Sequence, residues 1–144
     1  MEYIHYGHRK FDIDKFVKIT NREEFTKPNG GLWASRVDAE YGWKDWCLSN
    51  EYGTDDLKES FIFSLKEDAK ILTITNCDQL DKLPRNEKCT IMCRSWACLD
   101  FEKLSKEYDA IEVLISEDSE LYYKIYGWDC DSILIMNPAI IVNK

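Results

Sequence analysis

"KPNGGLWASRVDAEYGWKDWC", residues 27–47, carries three of the chain's five tryptophans and half of its six glycines. Its reading decides the fold. Pro28 and the Gly30-Gly31 pair close a polar loop, "NREEFTKPNGG". "GLWAS" then reads as a buried strand. In "DAEYGWKDWCLSN", Trp43, Trp46 and Cys47 recur at helical spacing and Asp38 stands where an N-cap would, so a helix follows the strand. Trp33, Trp43 and Trp46 are either core alone, or core that also walls a pocket for a flat ligand. "YGWDCDSILIMNP", residues 126–138, poses the same question.

Working outward, "EYIHYGH" reads as a short first strand. "DIDKFVKIT" fits a strand or a helical turn. "SFIFSLK" and "KILTITN" alternate apolar and polar residues, and the short "EDA" between them suggests an antiparallel pair. "CDQLDKLPRNEK" reads as a helical turn and a loop. "ACLDFEKLSKEY" sets Leu99, Leu104 and Tyr108 near one helical face. "DAIEVLIS" and "DSILIMN" are strands around an acidic turn, "EDSE", and "PAIIVN" gives a short last strand. The order lacks regular βαβ alternation. It predicts a mixed α+β chain with a few short helices.

The 144 residues fit one domain, spanning 1–144. An aromatic share of 13% and a hydrophobic share of 44% argue for a packed core and against disorder. The net charge of −8 disfavours a broad phosphate-tracking surface, although a few backbone N–H groups and one arginine can still hold a small anion. No apolar run has the ~18–20 residues of a membrane span, and "MEYIHYGHRK" has no signal-peptide core, which predicts a cytoplasmic protein. The six cysteines form no C-x-x-C, and "CTIMCRSWAC" has no histidine near it. They read as reduced thiols and not as a metal site. Cys93 or Cys98 as a nucleophile lacks a paired base in the sequence.

Three pieces put polar atoms at strand ends among aromatic residues: His5, Tyr6 and Gly7; Gly31, Trp33 and Ser35; Asp129 and Asp131. Together "IHYG", "GGLWAS" with "EYGW", "YDAIEV" and "DSILIMNP" resemble the ADP-ribosyltransferase family, in its histidine-tyrosine-acid branch. The resemblance implies a largely antiparallel two-sheet core with NAD in the cleft between the sheets. It implies His5 on the adenosine ribose, with Tyr6 competing for that position beside Gly7. It implies Ser35 at the nicotinamide ribose, and Tyr41 or Trp43 stacked on nicotinamide near Trp33. Asp131 stands where the family has its catalytic glutamate, and Asp129, two residues away, is the other candidate acid. The implied catalytic set is Asp131, His5 and Tyr41, without a metal, and the acceptor would be a protein or a nucleic acid.

Blander readings remain open. His5 also reads as a hydrogen-bonded strand residue, Ser35 as a helix cap, and Asp129 and Asp131 as turn residues. The chain is then a nucleotide-binding relative without turnover, or an acidic protein-interaction or inhibitor module. A deep pocket joining His5, Ser35, Tyr41 and Asp131 favours transfer. A pocket from which one of them turns away favours binding alone, and residues that lie far apart, with the acidic loops forming one continuous patch, favour the interaction module.

Overall fold

The computed structural model describes residues 1–91 and 95–143. The strands are β1 (Glu2–Tyr6), β2 (Leu32–Arg36), β3 (Ser60–Leu65), β4 (Ile71–Ile74), β5 (Ala110–Val113), β6 (Ser132–Ile135) and β7 (Ile141–Asn143). They form a seven-stranded sheet in the order β4-β5-β6-β2-β1-β3-β7. Among the described residues every strand pairing is antiparallel except β4 with β5. The helices are short: α1 (Trp43–Asn50), α2 (Cys77–Asp81), α3 (Phe101–Leu104) and α4 (Ser119–Lys124). The chain is thus a mixed α+β protein with a mostly antiparallel sheet. No helix among the described residues is long and apolar enough to cross a membrane.

The strand after Gly31 and the helix after it form as the sequence suggests, but the helix starts later than Asp38. Gly42 occupies the N-cap position. Ser35 on β2 accepts the Trp43 N–H at 2.9 Å, and Asp45 accepts the Gly42 N–H at 2.9 Å. Those bonds satisfy donors that a helix start leaves open. A side chain at Gly42 would press on Ser35, whose Cβ would lie 3.1 Å from the added Cβ.

β3 and β4 do not pair with each other. β3 lies between β1 and β7, and β4 lies at the opposite edge beside β5. Asp109 explains the difference. Its carboxylate accepts the Lys70 N–H at 2.9 Å, and its own N–H donates to the Lys70 carbonyl at 2.8 Å. The start of β4 is therefore fixed to β5, and the "EDA" segment is a crossing and not a hairpin. "DIDKFVKIT" resolves into a single 3-10 turn, Ile13–Lys15. "EDSE" runs into α4, whose first turn Asp118 caps by accepting the Glu120 N–H.

Two apolar clusters lie on the sheet. One is covered by helices: Leu80, Phe101, Leu104, Leu121 and Ile125 pack with Ile74, Ile111, Val113 and Leu134. The other draws on the strands themselves, through Tyr3, Ala34, Phe63, Ala110, Ile133 and Ile135, with Ile140 from the turn before β7. β6 serves both clusters, and Ile133, Leu134 and Ile135 are fully buried. Each such side chain contributes about 1.5–3 kcal/mol by leaving water.

The second cluster is bordered by a buried ion pair. Arg36 on β2 donates through Nε and Nη2 to the two carboxylate oxygens of Glu112 on β5, at 2.7 and 2.6 Å. Glu112 is 2% exposed. Burial, and then the Glu112 charge, push the neighbouring Tyr3 hydroxyl up to about 12.

Candidate functional site

The site begins with how β2 divides its partners. Leu32, Trp33 and Ala34 pair with β6, while Ser35 and Arg36 pair with β1. The β1–β2 ladder therefore stops at Ile4 and Ser35, and β1 leaves β2 beyond it. Where the main-chain ladder ends, a side chain takes over: His5 Nδ1 lies 2.7 Å from the Trp33 carbonyl oxygen. A carbonyl only accepts, so Nδ1 carries the proton. In the neutral ring Nε2 is then an acceptor, and it faces His8 Nδ1 at 3.0 Å. The two imidazoles stack, and Phe61 lies against His5. Burial lowers the His5 pKa below its ordinary value, partly offset by the bond to Trp33.

A cavity of about 280 Å³ opens at this divergence. His5 and Tyr6 line it from β1, Trp33 from β2, Trp43 from α1, and Trp128 and Asp129 from the segment before β6. Trp33 meets Trp128 edge to face, with ring centres 4.6 Å apart. Trp43 stacks on Trp46 at 5.1 Å. Lys27 supplies the cation: its ammonium lies 5.2 Å from the centre of the Trp33 ring and 3.5 Å from the Asp129 carboxylate. Trp128 is 2% exposed, and its indole N–H has no acceptor among the described residues. Burial and then the Asp45 charge raise the Tyr6 pKa, and burial pushes the Cys130 thiol up to about 12.

A second cavity, of about 480 Å³, shares His5 and Trp33 with the first. Phe11, Phe16 and Phe61 give it an apolar floor, and Arg9, Lys10 and Lys15 stand around it. Arg9 pairs with Glu59 at 2.9 Å and Lys15 with Asp12 at 3.7 Å. His5 and Trp33 thus line both cavities. The first lies just below the ~300–1,000 Å³ usual for ligand pockets.

The sequence candidates divide into two groups. His5, Tyr6, Trp33, Trp43 and Asp129 line the first cavity. Gly7, Ser35, Tyr41 and Asp131 do not, so among the described residues no pocket joins His5 with Ser35, Tyr41 and Asp131 as the family's transfer site would require. Gly7 turns the chain after β1 at a φ of +102°, which suits glycine, and donates its N–H to the Glu59 carbonyl. Ser35 is 2% exposed and holds the start of α1. The Tyr41 carbonyl accepts the Asp131 N–H at 2.9 Å. Asp131 is 4% exposed, and both of its carboxylate oxygens accept from Ser116, from the N–H at 2.8 Å and the hydroxyl at 2.5 Å.

The sequence reading did not assign Lys27, Trp128 or Cys130 to the site. Trp128 stood in the "YGWDC" stretch, where an aromatic residue beside two acids was a usable signal. Lys27 had none. Its loop is joined to the 126–129 segment only in space, through the Thr26 hydroxyl bonded to the Tyr126 carbonyl and through the Lys27–Asp129 pair. Among the described residues no group of three or more His, Cys, Asp or Glu is placed to hold a metal ion. Cys93, one of the two thiols weighed as a nucleophile, lies outside the described residues. No family model, curated protein or solved structure matches the chain.

Proposed function

We propose that this chain is an ADP-ribosyltransferase-like protein that binds NAD at the divergence of β1 and β2, with Asp129 as the acid at the nicotinamide ribose. The observation that carries the reading is the pair of aromatic cavities that share His5 and Trp33. A dinucleotide has two ring-and-sugar halves, and two chambers with a shared wall suit that shape. The first chamber offers Trp43 and Tyr6 as faces for a ring. Lys27 offers a charge for the diphosphate between the halves. The two-sheet arrangement and a cytoplasmic setting belong to the same proposal.

The chemistry follows from Asp129. A carboxylate beside the nicotinamide ribose stabilises the oxocarbenium ion as the glycosidic C–N bond breaks. The bond's electron pair leaves with nicotinamide. A nucleophile on a protein or nucleic-acid acceptor then attacks the sugar carbon and loses its proton. In this scheme His5 positions a ribose, while Ser35, Tyr41 and Asp131 hold the wall behind the site.

A second reading is nucleotide binding without turnover. It is favoured by Asp131, whose carboxylate oxygens both bond to Ser116. Thermal melting with NAD tests the site that both readings share. Binding to the native state raises the midpoint, and ligand at ~100-fold over Kd adds about 2.7 kcal/mol. The wild type is expected to shift, and Trp43→Ala to lose most of the shift. An unshifted wild type at millimolar NAD removes the nucleotide site and favours the acidic interaction module. Release of nicotinamide separates transfer from binding alone.

A further inference from the structure

Five cysteines are described, and they fall into two classes. Cys47, Cys77 and Cys130 are buried, and burial raises all three thiol pKa values. Cys89 and Cys98 are only partly buried. These two also share a setting. An antiparallel bridge pairs Arg85 with Leu99, which places Asn86 beside Cys98. The Asn86 N–H donates to the Cys98 carbonyl at 2.8 Å, and the Cys89 N–H donates back to the Asn86 carbonyl at 3.1 Å. One residue thus fixes the main chain of both cysteines. Both thiols line one cavity of about 480 Å³. Burial first, and then a hydrogen bond with Cys89, push the Cys98 thiol up to about 12. Arg85 and Lys124 line the same cavity together with Asp81, which pairs with both of them, at 3.6 and 3.3 Å. Partial exposure lets a peroxide reach a thiol, and a second thiol held close by lets the oxidised sulfur close a disulfide.

We propose that Cys89 and Cys98 form a redox modification site, in which a peroxide converts the two thiols to a disulfide. The Cys89 sulfur attacks hydrogen peroxide. The O–O bond breaks, Cys89 becomes a sulfenic acid, and one water leaves. The Cys98 sulfur then attacks the Cys89 sulfur. An S–S bond forms, the S–O bond breaks, and the departing hydroxide takes the Cys98 proton as a second water. Two thiols are oxidised and one peroxide is reduced, so no other reactant is needed. The new bond ties residue 89 to residue 98, next to the Ala97 N–H that anchors the end of α4 through the Lys124 carbonyl.

The experiment is peroxide treatment of the folded chain, followed by thiol titration, intact mass and peptide mapping. Two of the six thiols should disappear, with a loss of two hydrogens and a cross-link between Cys89 and Cys98. Cys98→Ser cannot close the bond, so its Cys89 should instead be trapped as a dimedone adduct. Six unreacted thiols would overturn the proposal, as would a cross-link from either cysteine to Cys93. A cross-link that forms equally fast in urea-unfolded chain would also overturn it, because the fold would then play no part. The outcome is independent of NAD binding, so this site and the nucleotide site fail separately.

Discussion

The polar groups built into the fold and those around the first cavity differ in how far their bonding capacity is used. Within the fold, Glu112 accepts two bonds from Arg36, Asp131 accepts two from Ser116, and Ser35 holds the start of α1. At the cavity, the Trp128 N–H has no acceptor among the described residues, and Asp129 meets Lys27 only at 3.5 Å. A buried polar group costs free energy unless it is matched, so matched groups are explained by the fold alone. Groups with spare capacity are the ones free to meet a ligand. Asp129 and Asp131 are two residues apart and fall on opposite sides of this division.

The largest effect should come from unmatching the fold. Arg36→Met leaves Glu112 buried without its partner and should cost about 3–5 kcal/mol in urea unfolding. Adding Glu112→Leu should restore much of that loss, since an apolar pair replaces the ions. A single variant as stable as the wild type would break the comparison at its matched side.

Asp131→Ala should come next. It removes two bonds to a charged acceptor and should cost about 1.5–3 kcal/mol, read from the same unfolding curves. Its response to nucleotide should survive. At the cavity, Asp129→Asn should change stability by no more than about 0.5 kcal/mol, because the lost ion pair is partly exposed. The same variant should weaken the NAD-induced shift in melting.

The smallest effect should be on pH dependence. Burial lowers the His5 pKa, so the unfolded chain binds its proton more readily than the folded one. The His5 contribution is complete above the unfolded pKa of ~6.5 and is lost as the pH falls toward the lower folded value. His5→Gln should flatten that part of the stability profile. An unchanged slope between neutral and mildly acidic pH would mean that His5 titrates alike in both states.

The strands were legible in the sequence because their cause is local. "YIHY", "LWAS" and "ILI" carry β-branched and aromatic runs, and the structure has β1, β2 and β6 there. The partner of each strand was not legible. It depends on Asp109 seizing the start of β4 and on the division of β2 between β1 and β6. α4 was hidden because only Leu121 within it is buried, which leaves no apolar stripe to read. In the site, the aromatic wall was legible because Trp33 and Trp43 are costly to leave in water. Which of two aspartates faces the cavity was not, because Ser116 lies on another segment and its bonds to Asp131 arise only on folding.

The most direct measurement sets Asp129→Asn beside Asp131→Asn and records the midpoint of each with and without saturating NAD. The account predicts a lower starting midpoint for Asp131→Asn with the NAD-induced rise preserved. It predicts a near wild-type midpoint for Asp129→Asn with the rise diminished. The reverse pattern, in which Asp131→Asn loses the rise and Asp129→Asn keeps it, would contradict the assignment of Asp129 to the ligand and Asp131 to the fold.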